Sequence, residues 1–505
     1  MGKLGIVLIF IQIASKIFGF GRELVLSFFY GTSMISDAYL VAFTIPSILF
    51  VLISTGITAG YIPIYNKIKK NEGIERAERF TSNFINMIIL LCIFIALIIT
   101  VFPGSLINIL ASGFSGEQFR IASDYTRISI WSIVFLGITS ITVPYLNIKD
   151  SFYVPSAIGI PLNIGLISGI VLSYYFSNYY LAFGIVLGYF LQFVILIPIL
   201  KTKGYKHKLV VDFSDIYIKK ILYLAAPMIV GASASQLNII IDRTIASSLA
   251  TGSISALNYA NRLNGFIQGL FIIPIVTLLY PKISELAANN DHAKLASHFY
   301  NAISIITLLV LPLMVGGMYL SKEITGILFL RGAFDHNALE ITSSAVFFYL
   351  LGIIGLAYRE VQFRVYYSYG DTKTPVKNSI IAVGINIVLN VILSKLMGVG
   401  GLALATSISS IFAAVLLQRN LEKYISNVEL RKSCLGNIFK IFISGLTMLI
   451  VLMLFKSVYP PQINILNTLV QIIVGALSYI IVLNILKVDE LKDIKEMIIG
   501  KIKRR

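Results

Sequence analysis

Eleven ionisable side chains fall within long apolar runs of this chain: Lys16, Arg22, Glu23, Asp37, Arg127, Asp242, Arg243, Arg262, Arg359, Glu360 and Arg364. Seven of these eleven are basic. An ionised group at the centre of a membrane span costs about 2.5–3.5 kcal/mol on insertion scales, so such residues are expected to face a wet cavity or a partner. A cavity lined mainly by Arg and Lys attracts an anion, and the planar guanidinium fork matches phosphate oxygens two at a time. Arg262 lies about ten residues inside its run with no acidic neighbour in sequence, which marks it as the leading anion ligand. Arg22–Glu23 and Asp242–Arg243 are adjacent opposite charges that can equally pair as structural glue. Arg359, Glu360 and Arg364 lie toward one end of their run, where long side chains can snorkel to the interface.

A second set carries oxygen donors. Asn386 and Asn390 are four apart and share a helix face, Thr406 lies on the next run, and Asp242 is one of few acids deep in a run. Together they are candidate ion-coupling residues, through Na⁺ coordination or through a proton on Asp242. The competing reading is hydrogen bonding between helices, which membrane proteins use routinely. No other cofactor or metal is expected.

Other chemistry is missing from the sequence. No GxxxxGK[ST] phosphate loop occurs. No Ser/His/Asp or Cys/His set is arranged for catalysis, so an enzyme is not expected. Cys92 and Cys434 form no CxxC motif, and His207, His292, His298 and His336 are scattered. Movement of a solute must then draw on an ion gradient, the membrane potential or the solute's own gradient.

The elements that position these residues follow from composition. The 505 residues are 57% hydrophobic and 13% charged, with mean hydropathy +0.85. Soluble domains are about 25% charged. Apolar runs of the length that crosses a hydrocarbon core recur throughout. Stretches such as 87–102 and 303–316 do not alternate, which argues against a barrel. The N-terminal run continues into Lys16, Arg22 and Glu23 without a cleavage site and reads as the first span. The expected fold is all-α and polytopic. About fourteen spans are expected, at 4–29, 36–65, 80–103, 121–147, 153–176, 180–200, 217–249, 253–281, 297–320, 337–367, 376–397, 400–418, 435–456 and 463–486.

Net charge is +17, but the basic residues sit in short loops, so membrane topology and anionic headgroups explain them and nucleic acid is not expected. Alternate loops hold Lys67 to Arg79, Lys149, Lys201 to Lys208, Lys282 and Lys294, Lys373 and Lys377, and Arg419 to Lys432. Both tails, with Lys3 and residues 501–505, fall on this side, which is therefore read as cytoplasmic. The opposite loops hold Arg120, Lys322, Arg331, Lys395 and Lys456.

The two halves echo each other. Arg22, Gly31 and Asp37 answer to Arg243, Gly252 and Asn258, with 243 − 22, 252 − 31 and 258 − 37 all equal to 221. Pro63 answers to Pro281 and Pro155 to Pro375, at offsets of 218 and 220. A constant offset over separated landmarks signals duplication. Six spans per copy is an even number, so the copies point the same way across the membrane. The expected division is a six-helix lobe at 1–205, a second at 206–425, and a helix pair with a basic tail at 426–505.

These residues resemble the MurJ/MviN lipid II flippase family, within the multidrug/oligosaccharidyl-lipid/polysaccharide exporter superfamily. The resemblance rests on residues 15–23 (SKIFGFGRE), 36–46 (SDAYLVAFTIP) and 62–65 (IPIY), then on 246–253, 259–263, 371–375 and 401–407. It spans about residues 10–420. It implies a central cationic cavity, with Lys16, Arg22, Asp37 and Arg262 as substrate-binding residues. It implies lipid II, an undecaprenyl-diphosphate disaccharide-pentapeptide, as the substrate, membrane lipids as surroundings and cell-wall synthesis proteins as candidate partners. The implied location is the bacterial inner membrane, with a role in peptidoglycan biosynthesis and cell shape. Phe50, Val51 and Thr55 stand where many members carry an Arg pair and an acid. A flippase for another polyprenyl-diphosphate oligosaccharide is the alternative, and a cation-coupled drug exporter or a membrane scaffold stands behind it. The lipid tail is expected to run along a groove of the extra pair, 435–486.

Overall fold

The computed structural model describes residues 3–425, 427–458, 463–488 and 490–491. The basic tail 501–505 lies outside the described residues. Every regular element among the described residues is helical. Lipid offers no hydrogen bonds to the backbone, and a helix satisfies its own N–H and C=O groups.

The chain divides into two compact units, residues 1–255 with 331–334, and residues 256–330 with 335–505. The first holds α1 (Lys3–Tyr30), α2 (Met34–Glu72), α3 (Ile74–Val101), α4 (Pro103–Leu110), α5 (Gly116–Ser129), α6 (Ser132–Ile148), α7 (Tyr153–Ala157), α8 (Gly159–Tyr175), α9 (Tyr180–Val194), α10 (Ile197–Thr202) and α11 (Ile216–Ser247), with the first turn of α12 (Ser253–Ile267). The second holds the rest of α12, a π-helical turn (Gln268–Ile272), α13 (Ile273–Ala288), α14 (His292–Tyr319), α15 (Ser321–Phe329), α16 (His336–Leu351), α17 (Ile353–Ser368), α18 (Lys373–Leu421), α19 (Val428–Val458) and α20 (Ile465–Ile485). α11 belongs to the second sequence repeat but packs along α2. The packing units and the repeats are thus different divisions of the chain.

Among the described residues, nine helices are long and apolar enough to cross a membrane, or eleven if two bent pairs are each one span. Length and apolarity alone therefore stop short of the fourteen expected. α18 runs for 49 residues but is broken at Gly398 (φ 57°, ψ −131°). Asn386 and Thr406 would stand about 30 Å apart on a straight helix, yet their side chains are 3.4 Å apart. α18 is therefore two antiparallel arms, matching the expected spans 376–397 and 400–418. α1 and α11, at 28 and 32 residues, are also long enough to span.

The order of elements recurs at the sequence offset. α5 and α6 meet at a bend of 43°, α16 and α17 at 41°. The breaks fall at Ile130–Trp131 and at Gly352, 221 to 222 residues apart, on the repeat offset. α6 and α17 end in the same backbone turn, with Ser151 N–H donating to Leu146 C=O and Asp371 N–H to Tyr366 C=O, an offset of 220 at both positions. The second turn carries a polar clasp on the end bearing the basic loops. Asp371 accepts from Thr374 N–H (3.0 Å) and Oγ1 (2.7 Å), Lys423 Nζ (3.0 Å) and Tyr424 O–H (3.0 Å). Burial works against the carboxylate, but these four donors outweigh it and hold the Asp371 carboxyl well below the usual carboxylate range. Its contribution to stability is thus fully present above the ordinary carboxylate pKa and disappears only as pH falls toward the depressed folded value. Asp371→Asn should cost roughly 1 kcal/mol at neutral pH and flatten the acid side of the stability profile, checked by thermal unfolding of both proteins from about pH 7 down to about pH 2.

Close helix crossings rely on glycine. A Cβ at Gly165 would fall 2.5 Å from Gly188 Cα, and one at Gly169 would fall 2.4 Å from Gly184 Cα, so α8 and α9 touch backbone to backbone. Gly184→Leu should destabilise unit 1 by about 1–3 kcal/mol or more, because backbone cannot yield. Gly436→Ala meets open space and should be neutral or slightly stabilising. Unfolding temperatures of the two purified variants separate these outcomes.

Candidate functional site

In unit 1, the charges of α1 are handled one by one. Lys16 is exposed. Arg22 and Glu23 are 6% and 0% exposed and form an ion pair, and the Arg22 guanidinium lies 5.0 Å from the centre of the Phe43 ring. Two buried opposite charges in contact satisfy one another, and an aromatic face adds a favourable site for the cation. Arg22 is therefore presented as half of a pair.

Asp37 is placed by the junction between α1 and α2. Gly31 takes a left-handed turn (φ 52°), and Ser33 caps α2 with Ser36 in a reciprocal capping box. Asp37 follows in the first turn and is 2% exposed. Its Oδ2 accepts from Gly252 N–H (2.7 Å), and its Oδ1 from Ser255 N–H (2.8 Å) and Ser255 Oγ (2.7 Å). The carboxylate thus caps α12, where N–H groups have no helical partner and the helix dipole favours negative charge. The structure gives Asp37 three protein donors that latch the start of α2 to the start of α12.

Around this latch four glycines permit backbone contact. A Cβ would lie 2.2 Å from Ala333 C=O at Gly31, 2.2 Å from Ser247 C=O at Gly113, 2.4 Å from Thr32 C=O at Gly252 and 2.2 Å from Phe28 C=O at Gly332. Gly113 N–H also donates to Ser247 Oγ (3.0 Å), and Ala333 N–H donates to Phe28 C=O (2.8 Å). Each half thus lends a glycine-bearing loop to a helix end of the other half. Sequence reasoning reached Gly31 and Gly252 but missed Gly113, Gly332 and Ser255. The signal was available, since 332 − 113 = 219 falls on the repeat offset. Asp242, half-buried on α11, accepts from Asn238 Nδ2 at 3.4 Å.

In unit 2, Arg262 is exposed on α12. The π-helical turn begins six residues later, at Gln268. Pro274 follows that turn; its ring would strike the carbonyl four residues back in a regular helix, and a widened turn moves that carbonyl aside. Arg359 lies 5.5 Å from the Phe363 ring centre, Arg364 lies 5.2 Å from that of Tyr280, and Arg364 pairs with Glu360 at 3.8 Å. These three residues are held by ring faces and each other. Asn390 Nδ2 donates to Asn386 Oδ1 at 2.9 Å, and Asn386 Nδ2 reaches Thr406 Oγ1 at 3.4 Å. Both Asn residues are buried, and Asn386 ties the two arms of α18 together. The structure thus brings Asn386, Asn390 and Thr406 together in unit 2, while Asp242 belongs to unit 1. Among the described residues no three His, Cys, Asp or Glu side chains are grouped to hold a metal ion.

A groove of about 490 Å³ runs between α14, α19 and α20. Leu308, Pro312, Met448, Leu452, Ile472 and Tyr479 are among its walls. Gly316 and Gly475 keep two of its helices slim. Its chemistry suits a long hydrocarbon chain.

The family model described as "Lipid II flippase MurJ" matches residues 26–475. A probable lipid II flippase MurJ of Buchnera aphidicola subsp. Baizongia pistaciae is 31% identical over 458 residues, covering 88% of each chain. Its counterpart from Thermotoga maritima is 27% identical over 95% of each chain. Among solved structures, a lipid II flippase MurJ in an inward closed conformation matches with a TM-score of 0.82 and 27% identity, over 95% of this chain and 98% of that one. An inward-facing multidrug transporter of the MATE family, at 15% identity and TM-score 0.67 over 85% of this chain and 99% of that one, shares the fold. In-span cations, a hydrocarbon groove and a match over most of the sequence agree: the chain belongs to the MurJ lipid II flippase family.

Proposed function

We propose that this chain moves lipid II from the cytoplasmic to the outer leaflet of the bacterial inner membrane by alternating access, with the basic loops and both termini on the cytoplasmic side. The observation that carries the mechanism is the contrast among the in-span cations: Lys16 and Arg262 are exposed, while Arg22 is buried against Glu23. Lys16 and Arg262 take the diphosphate, and Arg22 is oriented by its pair with Glu23. Exposed cations on membrane helices have a use only where water and an anion reach them.

Asp37 serves the cycle as the latch on α12. Rocking that parts α2 from the start of α12 must release its three hydrogen bonds. The polyprenyl tail lies in the groove of α14, α19 and α20 while the headgroup crosses. Resetting is coupled to an ion: Asp242 carries a proton or takes part in Na⁺ binding, and Na⁺ at Asn386 would replace the Asn390–Asn386 hydrogen bond. The cell-wall enzymes that make and consume lipid II are the partners this role calls for.

The deciding experiment is reconstitution into vesicles, with external labelling of lipid II and of an unrelated polyprenyl-diphosphate sugar. Lipid II should appear outside and the other lipid should not. Equal movement of both would overturn the substrate assignment, and dependence on Na⁺ or on pH would identify the coupling ion.

A further inference from the structure

The linker between the two sequence repeats, residues 203–215, is strapped across α3 in unit 1. Ser82, Asn83 and Asn86 of α3 hold its backbone. Asn83 takes both groups of Asp212: its Oδ1 accepts from the N–H (2.7 Å) and its Nδ2 donates to the C=O (3.0 Å). Asn86 Nδ2 donates to the C=O of Lys208 and of Val210, both at 2.9 Å. Ser82 Oγ accepts from Lys208 N–H (3.2 Å) and meets Tyr205 O–H (3.0 Å). Just past the strap, Asp215 pairs with Arg76 (2.9 Å) and caps α11 through Tyr217 N–H (2.9 Å). Three alternate residues, Lys208, Val210 and Asp212, thus give their backbone to α3.

The residues that alternate with these are bare. Leu209, Val211 and Phe213 are 92%, 48% and 66% exposed, although they lie outside every helix. Just before them, Lys201, Lys203, Lys206 and Lys208 are exposed, with no acid anywhere in residues 201–211. The two acids that follow are engaged: Asp212 accepts from Ser214 N–H (2.9 Å) and Oγ (2.7 Å), and Asp215 faces Arg76. The depth of the strap follows from α3. Residues 87–102, which begin directly after Asn86, carry no charge, and Leu90, Leu91 and Phe94 among them are exposed. α3 therefore enters hydrocarbon where the strap ends, and the strap lies at headgroup level.

We propose that this linker is an anchor for an anionic membrane surface. Lys201, Lys203, Lys206 and Lys208 meet phosphate headgroups of net negative charge, and Leu209, Val211 and Phe213 dip into the apolar layer beneath them. Four cations without a counter-charge call for anions, and three bare apolar side chains beside them call for a shallow apolar layer. An anionic lipid surface supplies both at this depth. Through Asp215 the anchored strap also fixes the start of α11. The proposal requires a membrane around α3 and nothing about the transported substrate.

The test is spin labelling of the full-length protein at Leu209→Cys or Phe213→Cys, since Cys92 and Cys434 are buried and leave one reactive site each. The labelled proteins are placed in nanodiscs of dioleoyl phosphatidylcholine with or without dioleoyl phosphatidylglycerol. Collisions of the label with oxygen, which concentrates in lipid, are compared with collisions with a water-soluble nickel chelate. With phosphatidylglycerol both labels should favour oxygen, and without it they should shift toward the chelate. One lysine near an anionic surface is worth about fivefold in binding, so replacing all four by Gln should weaken the hold on the order of several hundredfold and return both labels to the chelate. Every substituted position is exposed, and unfolding temperature reports whether each variant folds. Labels that favour the chelate in phosphatidylglycerol discs, or favour oxygen equally in both discs or in the four-Gln variant, overturn the proposal. Dipolar broadening between labels on two chains also overturns it, by showing that a second copy covers the strap.

Discussion

Arg262→Ala is expected to cut lipid II transport by 10- to 100-fold while leaving the protein folded. The residue is exposed on α12, so its removal opens no cavity. On the proposed mechanism what is removed is a guanidinium that binds the diphosphate, and a hydrogen bond to a charged group contributes about 1.5–3 kcal/mol, or one to two decades of affinity. Arg262→Lys should recover only part of the loss, since an ammonium keeps the charge but not the planar fork. Arg22→Ala is a different experiment. It strands Glu23, which is fully buried, and breaking a buried pair costs about 3–5 kcal/mol. That variant should fail by unfolding, and Arg22→Ala with Glu23→Ala should restore the fold without restoring transport. The checks are vesicle transport together with unfolding temperature. Normal transport by a folded Arg262→Ala protein would remove Arg262 from the substrate site.

Much of this arrangement was legible in the sequence because charges inside apolar runs are costly and therefore stand out. The repeat was legible for a similar reason: Gly31 and Gly252 mark left-handed turns that few other residues tolerate, and they keep the offset of the helices around them. The break between the arms of α18 also showed, as a glycine cluster at residues 398–401. What could not be read was partnership across long separations. The resemblance implies Asp37 as a ligand, but its donors lie 215 and 218 residues away, at the start of α12. No local pattern announces that a carboxylate will cap a helix from another part of the chain. The π-helical turn was hidden as well, since a single Pro274 is compatible with a kink or a bulge.

The Asp37 latch yields the second large effect. In Asp37→Asn, one carboxylate oxygen becomes an NH₂ group facing the N–H of Gly252 or of Ser255, a donor against a donor, and the charge that complements the α12 dipole is lost. Losing one charge-assisted hydrogen bond and gaining an unsatisfied buried donor should weaken the latch by about 3 kcal/mol. A change of that size moves a two-state equilibrium by more than 100-fold, so a latched state that dominates the wild type becomes a minority. Transport should fall because the proposed cycle needs both states, even though the cations proposed to bind substrate are untouched. Ser253→Cys serves as the reporter: Ser253 is 2% exposed, and the native Cys92 and Cys434 are buried. A membrane-impermeant thiol reagent should label it slowly in the wild-type background and much faster with Asp37→Asn. Ser255→Ala, which removes only the hydroxyl donor, should give an intermediate rate. Labelling that stays slow in Asp37→Asn while transport is lost would instead place Asp37 among the groups that contact the substrate.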